Sequence, residues 1–471
     1  MSGFESLMWE LERDPRLSSA FANLTLFDRP PDRATFRRRM EHATARVPRL
    51  RQRVVTTRNP LGHPQWVEDP GFDLDHHLRW VDLGGDADDA EVADLAATLM
   101  RQPFDRERPL WEFVTIEGLR GGRAAMLQRL HHTITDGEGG IRLSVQFLDL
   151  EREPEHQPDA PSAAPPRSER TSDHEVGTSD GEDAGGVDAA DRSLRERWSS
   201  SATGLGAAVG RLPSDVAALP RRGAELGAVA RSTLRQVTVG THRSPLWRER
   251  SLDRQIRTTA LSLDDVRAAA HHLGGSVNDL FITGAATAAG RVHATAGLPV
   301  EELRVSMPVS TRHDRSAGGN AFSPTQSLVP TGDLPVQERF DRIHQILGRV
   351  KAERALNTLE GAANAASLLP SAALVRSGQH LAGSVDFVCS NVRAAPFDLF
   401  IAGAFMEANY PLGPLAGTAF NLTTMSYRGW LFLGLVTDPA AVGDPDELLA
   451  ALDESYDELL SAGGVKKRRR P

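Results

Sequence analysis

The sequence predicts an α/β protein built as two domains. Strand-like and helix-like stretches alternate in both halves of the chain. Its 471 residues are too many for one compact core. Between residues 151 and 195 the composition turns abruptly to Pro, Ser, Asp, Glu and Gly, with almost nothing apolar to bury. The chain therefore divides into an N-terminal domain (1–150), a disordered acidic linker (151–195), a helical crossover (196–245), a C-terminal domain (246–462) and a basic tail (463–471).

In the first half, ANLTLFDRP (Ala22 to Pro30) reads as a strand ending at a proline. Asp32 can cap the next helix, whose apolar positions Phe36, Met40, Ala43 and Val47 recur at helical spacing; Pro48 ends it. LRQRVV then resumes an extended chain. DDAEVADLAATLMRQPF is a second capped helix with Val92, Leu95 and Leu99 on one face. PLWEFVTIEGL and RAAMLQRLHH are strand-like runs split by Arg-Gly-Gly, a hairpin signal. After Gly137, the spacing of Ile141, Val145 and Leu148 predicts another helical stripe.

Past the linker, residues 196–240 are rich in Ala, Gly and Arg, with only weak helical periodicity. IRTTALSLDDVRAAAHHLG gives a strand and then a helix entered through Ser262 and Asp264. SVNDLFITGAATAAGRVHATAG is a long helix entered at Ser276. LRVSMPVSTR is a strand ending at Pro308, and VQERFDRIHQILGRVKAE an amphipathic helix. SVDFVCSNV and YRGWLFLGLVTD are strands; PDELLAALDESYDELLSAG closes the fold as a helix. The apolar, small-residue stretch Gly361 to Gly383 suits either a tunnel-lining or lipid-facing helix pair, or an interdomain core.

The net charge of -9 exerts no pull toward nucleic acid. The exception is VKKRRRP at the C-terminus, either a solvated tail or a contact for anionic headgroups. The single Cys389 excludes an internal disulfide and a cysteine-rich metal site, and fits a reducing compartment. The N-terminus carries acids where a signal peptide needs bases, and no apolar run is long enough to span a bilayer. A cytoplasmic location follows as an expectation, with any membrane contact peripheral.

Most short motifs dissolve on inspection. GTSDG (Gly177 to Gly181) has the serine-hydrolase pattern but sits in the acidic linker, not on a strand-turn-helix elbow. GLGAAVG (Gly204 to Gly210) has the wrong spacing for a dinucleotide loop and follows no strand. HHTITDG, His131 to Gly137, is different, because it ends a strand before glycines and a helix. Adjacent residues on an extended chain point to opposite sides, so His131 and His132 cannot both reach one metal ion. We expect no metal here. A neutral imidazole can move a proton between a hydroxyl and a thiolate near neutral pH. Asp136 followed by Gly137 suits a tight turn, and a buried carboxylate there needs a cationic partner. Histidines serving structure alone at a strand end are the alternative.

The HHxxxDG run resembles the signature of acyltransferases with the chloramphenicol-acetyltransferase-like fold. RPLWE (Arg108 to Glu112), WVEDPGFDLDHHLR, VPRLRQRVV, SVNDLF, PVSTR, YPLGPL and SYRGWLFLGLVTD are similar, in order, to the wax ester synthase/diacylglycerol acyltransferase branch. Departures bear on substrate selectivity: NVRAAP (Asn391 to Pro396) stands where the family has Asn-Val-Pro-Gly-Pro, and SPLWRER (Ser244 to Arg250) where it has Pro-Leu-Asn-Gly.

The resemblance implies two chloramphenicol-acetyltransferase-like domains, mixed sheets with flanking helices, and an active-site tunnel between them. It implies acyl-CoA as co-substrate, no cofactor, and diacylglycerol or a long-chain alcohol as acceptor, reached at a peripheral membrane or lipid-body surface. His132 is then the general base and Asp136 a brace, with Arg51 its partner or else a solvated charge. His131 and Gly137 support the loop. Asn278, Asp279, Ser390 and Asn391 are candidates for the pocket or the oxyanion donors; helix capping is the alternative for the first two, and a turn for Asn391. Cys389 reads as a buried structural thiol. Rival readings are esterification of a hydroxylated polyketide or other secondary metabolite, and a non-catalytic lipid-binding protein. The intact His132 and Asp136 count against the second.

Overall fold

The computed structural model of the chain describes residues 1–56, 64–135, 140, 143–153, 244–310, 322–354, 371–466 and 468. Apart from its first three residues, the expected acidic linker lies outside these, as does the crossover up to residue 243.

Helix α1 (Gly3–Leu11) starts at a Ser2–Glu5 capping box, and strand β1 (Ala20–Phe27) follows. The carboxylate of Asp32 accepts the Thr35 amide to open α2 (Arg33–Arg46), which buries Phe36, Met40 and Ala43. Pro48 begins a 3-10 turn, after which β2 (Gln52–Val55) pairs with β3 (Gln65–Glu68) in a small ribbon. A short helix, α3 (Leu74–His77), feeds β4 (Leu78–Ala87). Helix α4 (Asp89–Arg101) has a second capping box, from Asp88 and Glu91. The predicted hairpin is β5 (Trp111–Leu119) and β6 (Ala124–His131). Gly121 and Gly122 turn it at φ 76° and 73°, where a side chain would be strained.

The second half runs β7 (Gln255–Ser262), α5 (Leu263–His272), α6 (Val277–Thr295), β8 (Glu302–Ser310) and β9 (Phe322–Pro330). It continues through α7 (Val336–Arg354), α8 (Ser371–Gly383), β10 (Phe387–Arg393), β11 (Phe400–Ile401) and β12 (Ala404–Leu412). β13 (Phe420–Tyr427), β14 (Trp430–Thr437), α9 (Pro439–Val442) and α10 (Pro445–Ala462) complete it.

Two six-stranded mixed sheets result, in the orders β11-β12-β1-β6-β5-β4 and β7-β14-β13-β10-β8-β9. The division near residue 245 is one of sequence more than of space. Strand β12 belongs to the second half of the chain, yet lies antiparallel to β1 in the first sheet, from Ala22↔Leu412 to Phe27↔Met406. Where β14 crosses β12, Gly434 admits the Pro411 carbonyl: a Cβ there would meet that oxygen at 2.0 Å. Two apolar cores form, and the first includes Ile256, Tyr427, Phe432 and Val436 from the second sheet. Among the described residues no helix is long and apolar enough to cross a membrane.

Several expectations change. Gly140, Leu143 and Ser144 are helical, but the helix gives way to a turn at Val145, which is 65% exposed; the buried pair is Leu143 and Phe147, and Asp149 then bridges to Phe400. Ile141 lies outside the described residues. The strand expected to stop at Pro308 continues to Ser310. Its neighbour β10 pairs only with Val305 and Ser306, so the amide proline lacks is not needed on that side. Of the stretch 361–383, the described part is α8, which packs against α1; Gln379 bonds Asp14 at 2.7 Å. In the basic tail, Arg468 pairs with the buried Asp265 at 3.1 Å.

Candidate active site

The two motif histidines stand at the end of β6 and face different surroundings. His131, the last strand residue, is fully buried. Its Nδ1 accepts the Thr133 amide at 3.1 Å and lies 2.7 Å from the Thr133 hydroxyl. An amide can only donate, so the ring proton sits on Nε2, which meets the Glu12 carboxylate just past α1. Burial opposes ionisation of Glu12. His131, the Ser18 hydroxyl and the charge of Arg106 outweigh it and hold the carboxyl below its usual range. His131 is thus committed on both nitrogens.

His132 is half-buried. Its amide donates to the Ser19 carbonyl at 3.2 Å, and its ring lies against Phe21 with centroids 4.5 Å apart. Phe21 and Leu130 are partners in the β1–β6 ladder and both border a cavity. Gly140 and Leu143 close it from the segment after the motif; Val392 and Met425 close it from the second sheet. The imidazole of His132 is therefore held beside a cavity between the two sheets.

The ground under this turn is packed. Trp111 is fully buried, donates from its indole to the Leu50 carbonyl at 2.9 Å, and stacks on His77 at 4.4 Å. His77 bonds the Trp111 carbonyl at 2.7 Å, and burial pushes its pKa down to about 4. The Leu110 carbonyl receives the His131 amide. Arg51 is exposed, its guanidinium 4.6 Å from the centre of the Phe72 ring. Asp136 and Gly137 lie outside the described residues, and with them the expected Asp136–Arg51 pair.

The candidates in the second half separate. Asp279 is buried in the α6 capping box, bonded to the Ser276 amide and hydroxyl and to His344 at 3.0 Å. Asn278 meets Asn391 at 3.4 Å. Alternation along β10 puts Ser390 on the other face from Asn391, with Val392 of the cavity wall. Cys389 is buried, and burial pushes its thiol pKa up, which suits a structural thiol. Among the described residues no group of three His, Cys, Asp or Glu is arranged to hold a metal. Sequence reasoning missed Glu12, Phe21, Asn23 and Gln128. They reach the site through sheet register and tertiary packing, for which no local pattern exists.

A model of the wax ester synthase/diacylglycerol acyltransferase catalytic domain matches residues 1–281, and one of the WS/DGAT C-terminal domain matches residues 318–460. A Mycobacterium tuberculosis (strain H37Rv) protein named "Putative diacyglycerol O-acyltransferase" is 35% identical over 478 residues, covering 99% of this chain and 92% of its own. Another of that strain with the same description is 29% identical over 447 residues, covering 90% and 82%. Among solved structures, the wax ester synthase/diacylglycerol acyltransferase from Marinobacter aquaeolei VT8 has a TM-score of 0.62 at 22% identity, over 98% of this chain and 99% of that one. The first condensation domain of the calcium-dependent antibiotic synthetase has a TM-score of 0.59 at 16% identity, over 99% and 97%. At these identities the solved structures bear on fold alone, and the expected chloramphenicol-acetyltransferase-like architecture is what they share.

Proposed function

The chain belongs to the wax ester synthase/diacylglycerol acyltransferase family, and from that premise we propose that it moves a long-chain acyl group from acyl-CoA to the hydroxyl of diacylglycerol or a long-chain alcohol. The observation that carries this reading is the split between the two histidines. His131 is bound on both nitrogens, whereas His132 stands half-buried against Phe21 beside the cavity.

His132 acts as general base. It takes the proton of the acceptor hydroxyl as that oxygen attacks the thioester carbonyl. The new C–O bond forms, the C–S bond breaks, and the imidazolium returns the proton to the CoA thiolate. No acyl-enzyme is formed and no cofactor enters; acyl-CoA is a co-substrate. Charge on the tetrahedral oxygen calls for fixed donors, a role we give to Asn278 or Ser390. The lipid acceptor enters from a bilayer or lipid-body surface to which the protein binds peripherally.

The test is CoA release from palmitoyl-CoA against a panel of diacylglycerol, hexadecanol and hydroxylated metabolites, with wild type and His132→Ala side by side. Release with the lipid acceptors, lowered by about 10²–10⁴-fold in the variant, is the expected outcome. Equal rates in both proteins overturn the assignment of His132, and release with the metabolites alone overturns the acceptor.

A further inference from the structure

Two primary amides border the cavity beside His132. Asn23 and Gln128 are cross-strand partners in the β1–β6 ladder, so their side chains leave the same face of the sheet. The Phe21–Leu130 pair occupies that face two residues nearer the motif. Gln128 is 5% exposed. Among the described residues neither side-chain amide has a hydrogen-bond partner. Polar groups nearby behave otherwise. The Thr25 hydroxyl donates to Asn409 at 3.0 Å, and Asn421 donates to the Pro414 carbonyl at 2.8 Å and accepts from Thr423 at 2.7 Å.

The polar atoms of both amides open onto the cavity and are not sealed from water; a ligand that displaces that water without bonding them loses affinity. The surrounding wall is built from Phe21, Phe113, Leu130 and Leu143, and a leucine at either position would carry no such cost. The amides are therefore useful only when a ligand brings them polar groups. A bare alkyl chain has none to offer. A carbonyl accepts from an amide N–H₂ and fits both side chains at once.

We propose that Asn23 and Gln128 form a carbonyl-binding pair, holding an ester or amide carbonyl of the substrate at a set distance from His132. Two substrate groups have that chemistry within a few bonds of the reacting atom: the neighbouring ester of a glycerolipid acceptor, and the first amide of the pantetheine arm of acyl-CoA. The inference rests on the acyltransferase reading for the identity of these substrates. It adds that the pair sets which of them is preferred over a counterpart lacking that ester or amide carbonyl.

The test is equilibrium displacement of a fluorescent long-chain probe from wild type, Gln128→Leu and Asn23→Leu. The competitors come in two pairs: 1,2-dioleoylglycerol with its diether analogue, and palmitoyl-CoA with S-palmitoyl ethanethiol. In one pair, Gln128→Leu is expected to weaken the carbonyl-rich member about tenfold, as loss of one buried hydrogen bond predicts, and to leave the other member within twofold. Loss on dioleoylglycerol assigns the pair to the acceptor; loss on palmitoyl-CoA assigns it to the donor arm. Equal changes on all four competitors, or no change on any, overturn the proposal. Gln128→Met, which keeps the shape without the amide, serves if the leucine variant does not fold. Binding needs no turnover, so a wild type that releases no CoA sinks the acyltransferase reading while this measurement still decides the inference.

Discussion

Glu12 reaches the motif from the end of α1 and holds His131 in place. Because its folded-state pKa is depressed, it contributes stability that is fully present above its unfolded value of about 4.3 and is lost as pH falls through the lower folded value. The thermal midpoints of wild type and Glu12→Gln should differ most above about pH 5 and converge toward pH 3; a gap constant with pH would mean that shape, not charge, is at stake. His77 acts in a higher window. Its pKa, lowered by burial to about 4, means that between about 6.5 and 4 the unfolded chain takes a proton the folded one refuses. Stability should therefore fall by roughly 3 kcal/mol over that range, and His77→Gln should flatten this part of the profile. At this scale the sequence separates the surroundings of His131 and His132, because alternation on a strand is local. It does not show Glu12, which the fold brings in from the other end of the domain.

Elements with local signals stand where the sequence puts them. α2, α4, α5, α6 and α10 each open on a side-chain cap, and the β5–β6 hairpin announces itself through glycine. Of the strands that escape notice, β4 and β12 depend on partners remote in sequence, β5 and β1, whereas β3, β9, β11 and β13 pair with sequence neighbours but carry no clear apolar signal. In β4, Gly84 and Gly85 also break the apolar pattern. Val145 shows the converse error, a helical spacing carried past Ser144, where the helix gives way to a turn. Gly434 is the element-scale test. Its Cα lies under the Pro411 carbonyl of β12, so Gly434→Ala must push the two strands apart. A loss of about 1–3 kcal/mol in urea unfolding is expected, where an exposed turn glycine such as Gly429 tests only its own φ of 77°.

For the molecule as a whole, the decisive feature is β12, a strand of the second half laid beside β1 in the first sheet. Residues 1–153 expressed alone should present the bare edge of β1 and aggregate, whereas co-expression with residues 244–471 should restore a soluble complex that purifies as one species. Two fragments that each fold alone would show the seam to be dispensable. Composition and alternation reveal two α/β halves but not this exchange, since nothing in AFMEANYPL names its partner. The exchange also bears on traffic through the cavity. Two lobes joined by a flexible tether can gape like a clamshell, but here gaping would unzip a ladder that runs from Ala22↔Leu412 to Phe27↔Met406. The halves are sewn together, not hinged. Whatever enters the cavity must then pass by the rotation of side chains, not by any opening of the lobes.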